Sequence, residues 1–272
     1  MSIPICLFGN SHIAALRTAH LEAPERWSEL APQMVGAHKT KLVQTEVIDG
    51  VLRPRTEDAK VAFAKLGGGA GIELDRFEAF VIVGCNSASS NLVRLHRDAR
   101  FLGMASLKEV EDLAKMEPAL LSRSAFETIA VEHMGRRLWT RFAVLLREHT
   151  DKPIYLCPQP HVSQDAVHSD DPNHVLLQNI AVSGDGRIMN NIHRLTLTEL
   201  AKDANVTVLS QPKSTISRGI MTKREMSRGS IRLAATGRFE HDRTDYDHAN
   251  ATYGGLVLDQ IQEAVLADVK QG

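Results

Sequence analysis

A serine, an asparagine and an aspartate-histidine pair are the groups in this 272-residue chain best placed to do chemistry, and they stand far apart in it. Ser11 belongs to Gly9-Asn10-Ser11-His12, which follows a short apolar run and leads straight into a helical stretch. A hydroxyl there can cap the helix, because Asn and Ser are favoured at that position. It can also act as a nucleophile, with its own N–H among the unpaired donors of a helix start, where an oxyanion would be met. Asp245 and His248, separated by two residues, precede an amphipathic stretch near the C-terminus. One turn can aim that carboxylate at the imidazole and fix its tautomer, which is what a base for a serine needs. Asn86 closes Gly84-Cys85-Asn86 after another apolar run, so its amide can donate into a crevice at a strand end or simply belong to a turn.

The same residues admit a rival chemistry. His241, Asp242, Asp245, Asp247 and His248 are N and O donors of the kind that hold a catalytic divalent metal. Phosphoesterase-type sites draw ligands from several strand ends, however, and no Asp-x-His on an early strand complements this group, so no metal is expected. The Gly67–Gly71 run lacks the spacing of a phosphate loop, and the exit of the first apolar run has one glycine where a dinucleotide fingerprint needs three. Nucleotide binding is therefore not expected.

The elements that must position these groups are short apolar runs at residues 3–8, 79–85, 153–157 and 206–209, nearly unbroken as strands covered on both faces should be. Residues 31–38 fit as a further strand, second in chain order. Helical periodicity links Ala130, Met134, Leu138, Phe142 and Leu145, and again Val257, Ile261 and Val265. Strands alternating with helices imply parallel pairing, hence a three-layer α/β/α sandwich around a mostly parallel five-stranded sheet. Asp49-Gly50 between strand-like flanks signals a β-hairpin, and residues 39–76 read as an insertion built on it after the second strand. Residues 158–173 and 211–244 look irregular, and long loops after strand ends are where such folds hold ligands. With no repeat and no linker, residues 1–272 read as one domain.

Composition narrows the partners. A formal charge of −1 gives no whole-chain attraction to nucleic acid or an anionic membrane, and no apolar run approaches the ~18 residues of a membrane span. Cys6, Cys85 and Cys157 are odd in number and sit in or at the end of apolar runs, as buried thiols in a reducing compartment do. A cytoplasmic protein is the expectation.

A serine at the first strand's exit, an Asn after a central strand and Asp-x-x-His before the last helix occur in the chain order of one family. The sequence resembles the SGNH hydrolases, the GDSL esterase/lipase superfamily. Gly9-Asn10-Ser11-His12 looks like its first block, Gly84-Cys85-Asn86 like its third and Asp245–His248 like its last. The resemblance implies a flavodoxin-like α/β fold, Ser11 as nucleophile, His248 as base and Asp245 as orienting acid. It also implies an oxyanion hole made by the N–H groups of Ser11 and a second-block glycine and by the amide of Asn86. Gly36, which ends the expected second strand, is preferred for that glycine over Gly50 at a hairpin tip and Gly68 in a flexible run. Two departures stand out: Asn10 and Ser87 occupy positions where the family usually has Asp.

The expected activity is hydrolysis of a small acyl ester, O-acetyl among the candidates, on a small molecule or carbohydrate, through an acyl-serine and with no cofactor. Aromatic residues are only 5% of the chain, which gives little sign of sugar-stacking platforms or a large lipid groove. An O-acyltransferase on the same scaffold and an inactive binding protein that keeps the fold are the alternatives.

Overall fold

Ile5, Cys6, Leu7 and Phe8 are all fully buried, because successive side chains of one strand enter opposite faces of a sheet covered on both sides. The computed structural model describes residues 2–37, 41–108, 110–113, 117–234 and 236–269. In chain order its main elements are β1 (Ile3–Gly9), α1 (Ile13–Glu22), β2 (Leu30–Gly36), β3 (Thr45–Ile48), β4 (Val51–Pro54), α2 (Glu57–Lys65), β5 (Ile72–Glu73) and β6 (Ala79–Val83). They continue with α3 (Val93–Asp98), β7 (Ala99–Phe101), β8 (Ala119–Leu121), α4 (Arg123–Met134), α5 (Leu138–Arg147), β9 (Ile154–Cys157), α6 (Pro172–Val182), α7 (Gly186–Lys202), β10 (Val206–Val208) and α8 (Ala251–Val269).

The central sheet has five strands in the order β10-β9-β6-β1-β2, every pair parallel. From β1 the chain crosses to β2 on one side and later returns to β6 on the other. Such a reversal opens a crevice at the carboxyl ends of β1 and β6. Cys6, Phe8, Phe80, Ile82, Ile154 and Leu156 point into a core shared with α4 to α7. Ile5, Leu7, Val81, Val83, Tyr155 and Cys157 point into a second core shared with α1 and α8. These two cores make the three layers.

Two segments differ from what sequence periodicity suggests. The helical pattern from Ala130 to Leu145 is split into α4 and α5, because Gly135 follows the last turn and Arg137 is extended at φ −79°, ψ 166°. The strand expected over 79–85 ends at Val83, since Gly84, Cys85 and Asn86 all have positive φ, 74°, 56° and 64°. A strand cannot continue through left-handed backbone. Strands β3 and β4 pair antiparallel across Asp49-Gly50, and β5 adds to β4. His38, at the end of the expected second strand, lies outside the described residues, and β2 stops at Gly36. No helix among the described residues is long and apolar enough to cross a membrane.

Candidate active site

Ser11 sits two residues beyond β1 in a turn closed by bonds from Ile13 N–H to the Asn10 carbonyl and from Ala14 N–H to the Ser11 carbonyl. His12 is the N-cap of α1 and no side chain caps it, so the serine hydroxyl is not spent on the helix. Its partner is the His248 imidazole, with Oγ 2.8 Å from Nε2.

His248 is aimed from the opposite direction. Its Nδ1 lies 2.9 Å from both carboxylate oxygens of Asp245, so the ring carries its proton there and leaves Nε2 free to accept from Ser11. Asp245 also accepts from the backbone N–H groups of Asp247 and His248, at 3.1 and 3.0 Å, which turns the chain through Asp245–His248. Asn250 then starts α8: its Oδ1 accepts from Tyr253 N–H, and its Nδ2 donates to the carbonyls of Glu225 and Arg228. The helix that follows Ser11 and the helix that follows His248 pack against each other in one core. Gly254 permits this, because a Cβ at that position would overlap the Ala15 carbonyl.

Two further histidines complete the surroundings. His241 Nδ1 is 2.8 Å from Asp245 Oδ2, and its ring stacks on His248 at 4.0 Å and 11°. His12 stacks on His248 at 4.8 Å and 21°. Burial raises the Asp245 carboxyl, but the hydrogen bonds from His241 and His248 outweigh it and hold the group well below the usual carboxylate range. Burial first, and then the neighbouring His248, push His12 down to about 3, so it lies beside the base as a neutral ring. His12 entered the sequence reading only as the end of a motif, and His241 only as a metal donor. The stacking of His12 on a ring more than 200 residues away leaves no local sequence signal.

The expected oxyanion donors fare differently. Among the described residues nothing accepts from the Ser11 N–H, and the Asn86 side chain is exposed with no hydrogen bond, three residues beyond the end of β6, the strand that pairs with β1. Gly36 does not fit the role assigned to it. Its N–H donates to the Leu66 carbonyl at 2.8 Å, which removes it from the crevice. The two departures from Asp have structural work. Asn10 Oδ1 accepts from His12 N–H at 3.3 Å and fills the space a Cβ on Gly84 would need. Ser87 donates to the Gly84 carbonyl at 2.6 Å and accepts from Gln159 N–H at 2.9 Å, joining the exits of β6 and β9.

Of the five possible metal donors, the structure gathers three: ligand atoms of His241, Asp245 and His248 lie within 4.8 Å of one another. Asp242 turns to Arg232 and Asp247 to His174. A cation bound through the two Nδ1 atoms would displace the protons both rings give to Asp245. A second serine-histidine pair, Ser89 Oγ and His161 Nδ1 at 2.7 Å, continues to Asn190, but Ser89 is 1% and His161 4% exposed. The hydroxyl is buried, the imidazole is already bonded on both nitrogens, and burial pushes His161 down to about 3. The thiols are no better placed: all three cysteines are buried and free, and burial pushes Cys85 and Cys157 up to about 12.

No protein-family model matches the chain, and no curated protein matches it significantly.

Proposed function

We propose that the protein is a serine ester hydrolase of the SGNH type. The observation that carries this reading is the continuous relay from Ser11 Oγ through His248 to Asp245, at 2.8 and 2.9 Å, at the crevice where strand order reverses. In the proposed reaction Ser11 Oγ attacks the ester carbonyl while His248 Nε2 takes the hydroxyl proton, and Asp245 stabilises the imidazolium. The tetrahedral oxyanion is met by Ser11 N–H and the Asn86 amide. Collapse expels the alcohol, which takes its proton from His248. A water activated by the same base then frees the acid and restores Ser11. No step needs a metal or organic cofactor, and residues 39–76 read as an insertion that leaves the relay untouched.

The relay also supports an active enzyme over an inactive scaffold, since such alignment has no purpose in a protein that only binds. Hydrolysis of a chromogenic acetyl ester is expected from the native protein and should be lost in Ser11→Ala and in His248→Ala. Activity that survives Ser11→Ala but vanishes with a chelator would transfer the chemistry to the His241, Asp245 and His248 cluster. Faster ester consumption with an added alcohol, without more free acid, would make it an acyltransferase.

A further inference from the structure

Beside Asn86 lies a cavity of about 360 Å³ lined by Ser90, Asn91, Arg94, His133, Arg137 and Asn173, with three basic side chains and no carboxylate. Its cations are only loosely compensated: the Arg94 charge acts on Asp98, whose close partner is Arg97. Neither Arg94 nor Arg137 makes an ion pair among the described residues, and Arg137 Nε is buried there without a hydrogen-bond partner. Arg137 is instead fixed by its Nη2, 3.0 Å from His133 Nε2, which leaves much of its guanidinium fork unused. An unpaired buried donor is costly unless something accepts from it, and a guanidinium fork fits the planar or tetrahedral oxygens of an anion.

Two hydrogen bonds lead from the neighbourhood of this cavity towards the site, one to Asn86 and one to Asp247. Asn91 Nδ2 donates to the Asn86 carbonyl at 3.0 Å, so one wall is continuous with the proposed oxyanion donor. Asn173 precedes His174, whose Nε2 reaches Asp247 at 3.4 Å, next to the base. Other basic cavities lack this combination. The one of about 600 Å³ beside Asp245 contains Asp165, Glu240 and Asp242, with Arg224 and Arg228 both paired to Asp165. The one beyond β9 and β10 has Arg187, Arg194 and Lys213, but the His161 side chain facing it is already bonded on both nitrogens.

From this we infer that Arg94 and Arg137 form a subsite for an oxyanionic group, carboxylate or phosphate, carried by the ester substrate. The inference rests on the hydrolase reading only for calling the ligand a substrate; anion binding stands apart from it. The direct test titrates inorganic phosphate and succinate, separately, into folded Ser11→Ala protein by calorimetry or NMR. Kinetics of native protein then compare acetyl esters of a neutral alcohol with those of an alcohol bearing a carboxylate or a phosphate.

Saturable binding of at least one anion is expected, weakened about tenfold or more in Arg94→Gln and further in Arg94→Gln/Arg137→Gln. The anionic ester should be preferred by about the same factor, and the preference should vanish in the same variants. Phosphate alone or succinate alone identifies the group. Arg94 is exposed, so its variant keeps the test valid if the double variant fails to fold. Binding without any ester turnover would leave the subsite standing and sink the hydrolase reading. Turnover of both esters at equal rates with no anion bound, or binding lost in Arg187→Gln instead, would overturn the subsite.

Discussion

At the scale of residues, the site is one base with every direction around it assigned. Nδ1 of His248 faces Asp245, Nε2 faces Ser11, and the ring is flanked by His12 and His241. Asp245 serves two histidines at once, which is why its carboxyl stays ionised so firmly. In the proposed reaction oxyanion stabilisation is thinner: with Gly36 N–H spent on Leu66, Ser11 N–H and Asn86 are what remain of the three expected donors. Asn86→Ala should therefore slow turnover by ~10²- to 10³-fold, with a stability loss of about 1 kcal/mol because Ala tolerates the left-handed backbone at φ 64° less well than Asn. Steady-state kinetics with a chromogenic ester, paired with a thermal melt, checks this. A loss below fivefold would mean that Asn86 does not meet the oxyanion. Ser11, Asp245 and His248, which the structure brings within hydrogen-bond distance, were legible because each stands at the end of an element with a motif around it. Gly36 misled because its partner, Leu66, is brought in by tertiary folding that no local spacing records.

At the scale of elements, the relay depends on the fit of α1 against α8. These helices begin just after Ser11 and His248, so their separation sets the distance between nucleophile and base. Gly254→Ala places a methyl group against the Ala15 carbonyl and should push α8 outward. The expected cost is about 1–3 kcal/mol of stability from overpacking, with a fall in kcat larger than the melt alone explains. Denaturant unfolding and kinetics on the same sample separate the two, and an unchanged kcat would show that helix spacing does not govern the relay. The left-handed run Gly84-Cys85-Asn86 is the other positioning element. Two non-glycine residues held there store strain of the kind that clusters at functional sites, and the run turns the chain abruptly at the end of β6, the strand paired with β1. Strands such as β1 and β6 could be read from sequence because burial on both faces makes them continuously apolar. The break between α4 and α5 could not, because the 3.6-residue period continues across it.

At the scale of the whole molecule, buried neutral histidines make stability sensitive to acid. Burial holds His12 and His161 at about 3 and His193 at about 4, against about 6.5 for an exposed ring in the unfolded chain. Below pH 6.5 the unfolded state thus binds more protons than the folded one. This contribution is complete above pH 6.5 and is lost as pH falls towards the folded values. Three such groups amount to on the order of 5 kcal/mol between pH 7 and pH 5, comparable with the whole stability of a typical domain. His174, held up by its hydrogen bond to Asp247, works the other way and offsets part of this. Below pH 4 the loss deepens, since Asp185, where burial is outweighed only by the hydrogen bonds from His96 and Ser106 together with the His96 charge and which is held at about 2, must also take up a proton. Urea midpoints should fall steeply from pH 7 to pH 5, and equal midpoints would mean that these rings are charged in the folded protein.

The central claim is that Ser11 is a nucleophile made reactive by His248. Fluorophosphonate labelling followed by peptide mass spectrometry tests it most directly. A single adduct on Ser11 is expected in the native protein, none in Ser11→Ala, and markedly slower labelling in His248→Ala. Native, folded protein that refuses the label, or carries it on another serine, would contradict the claim.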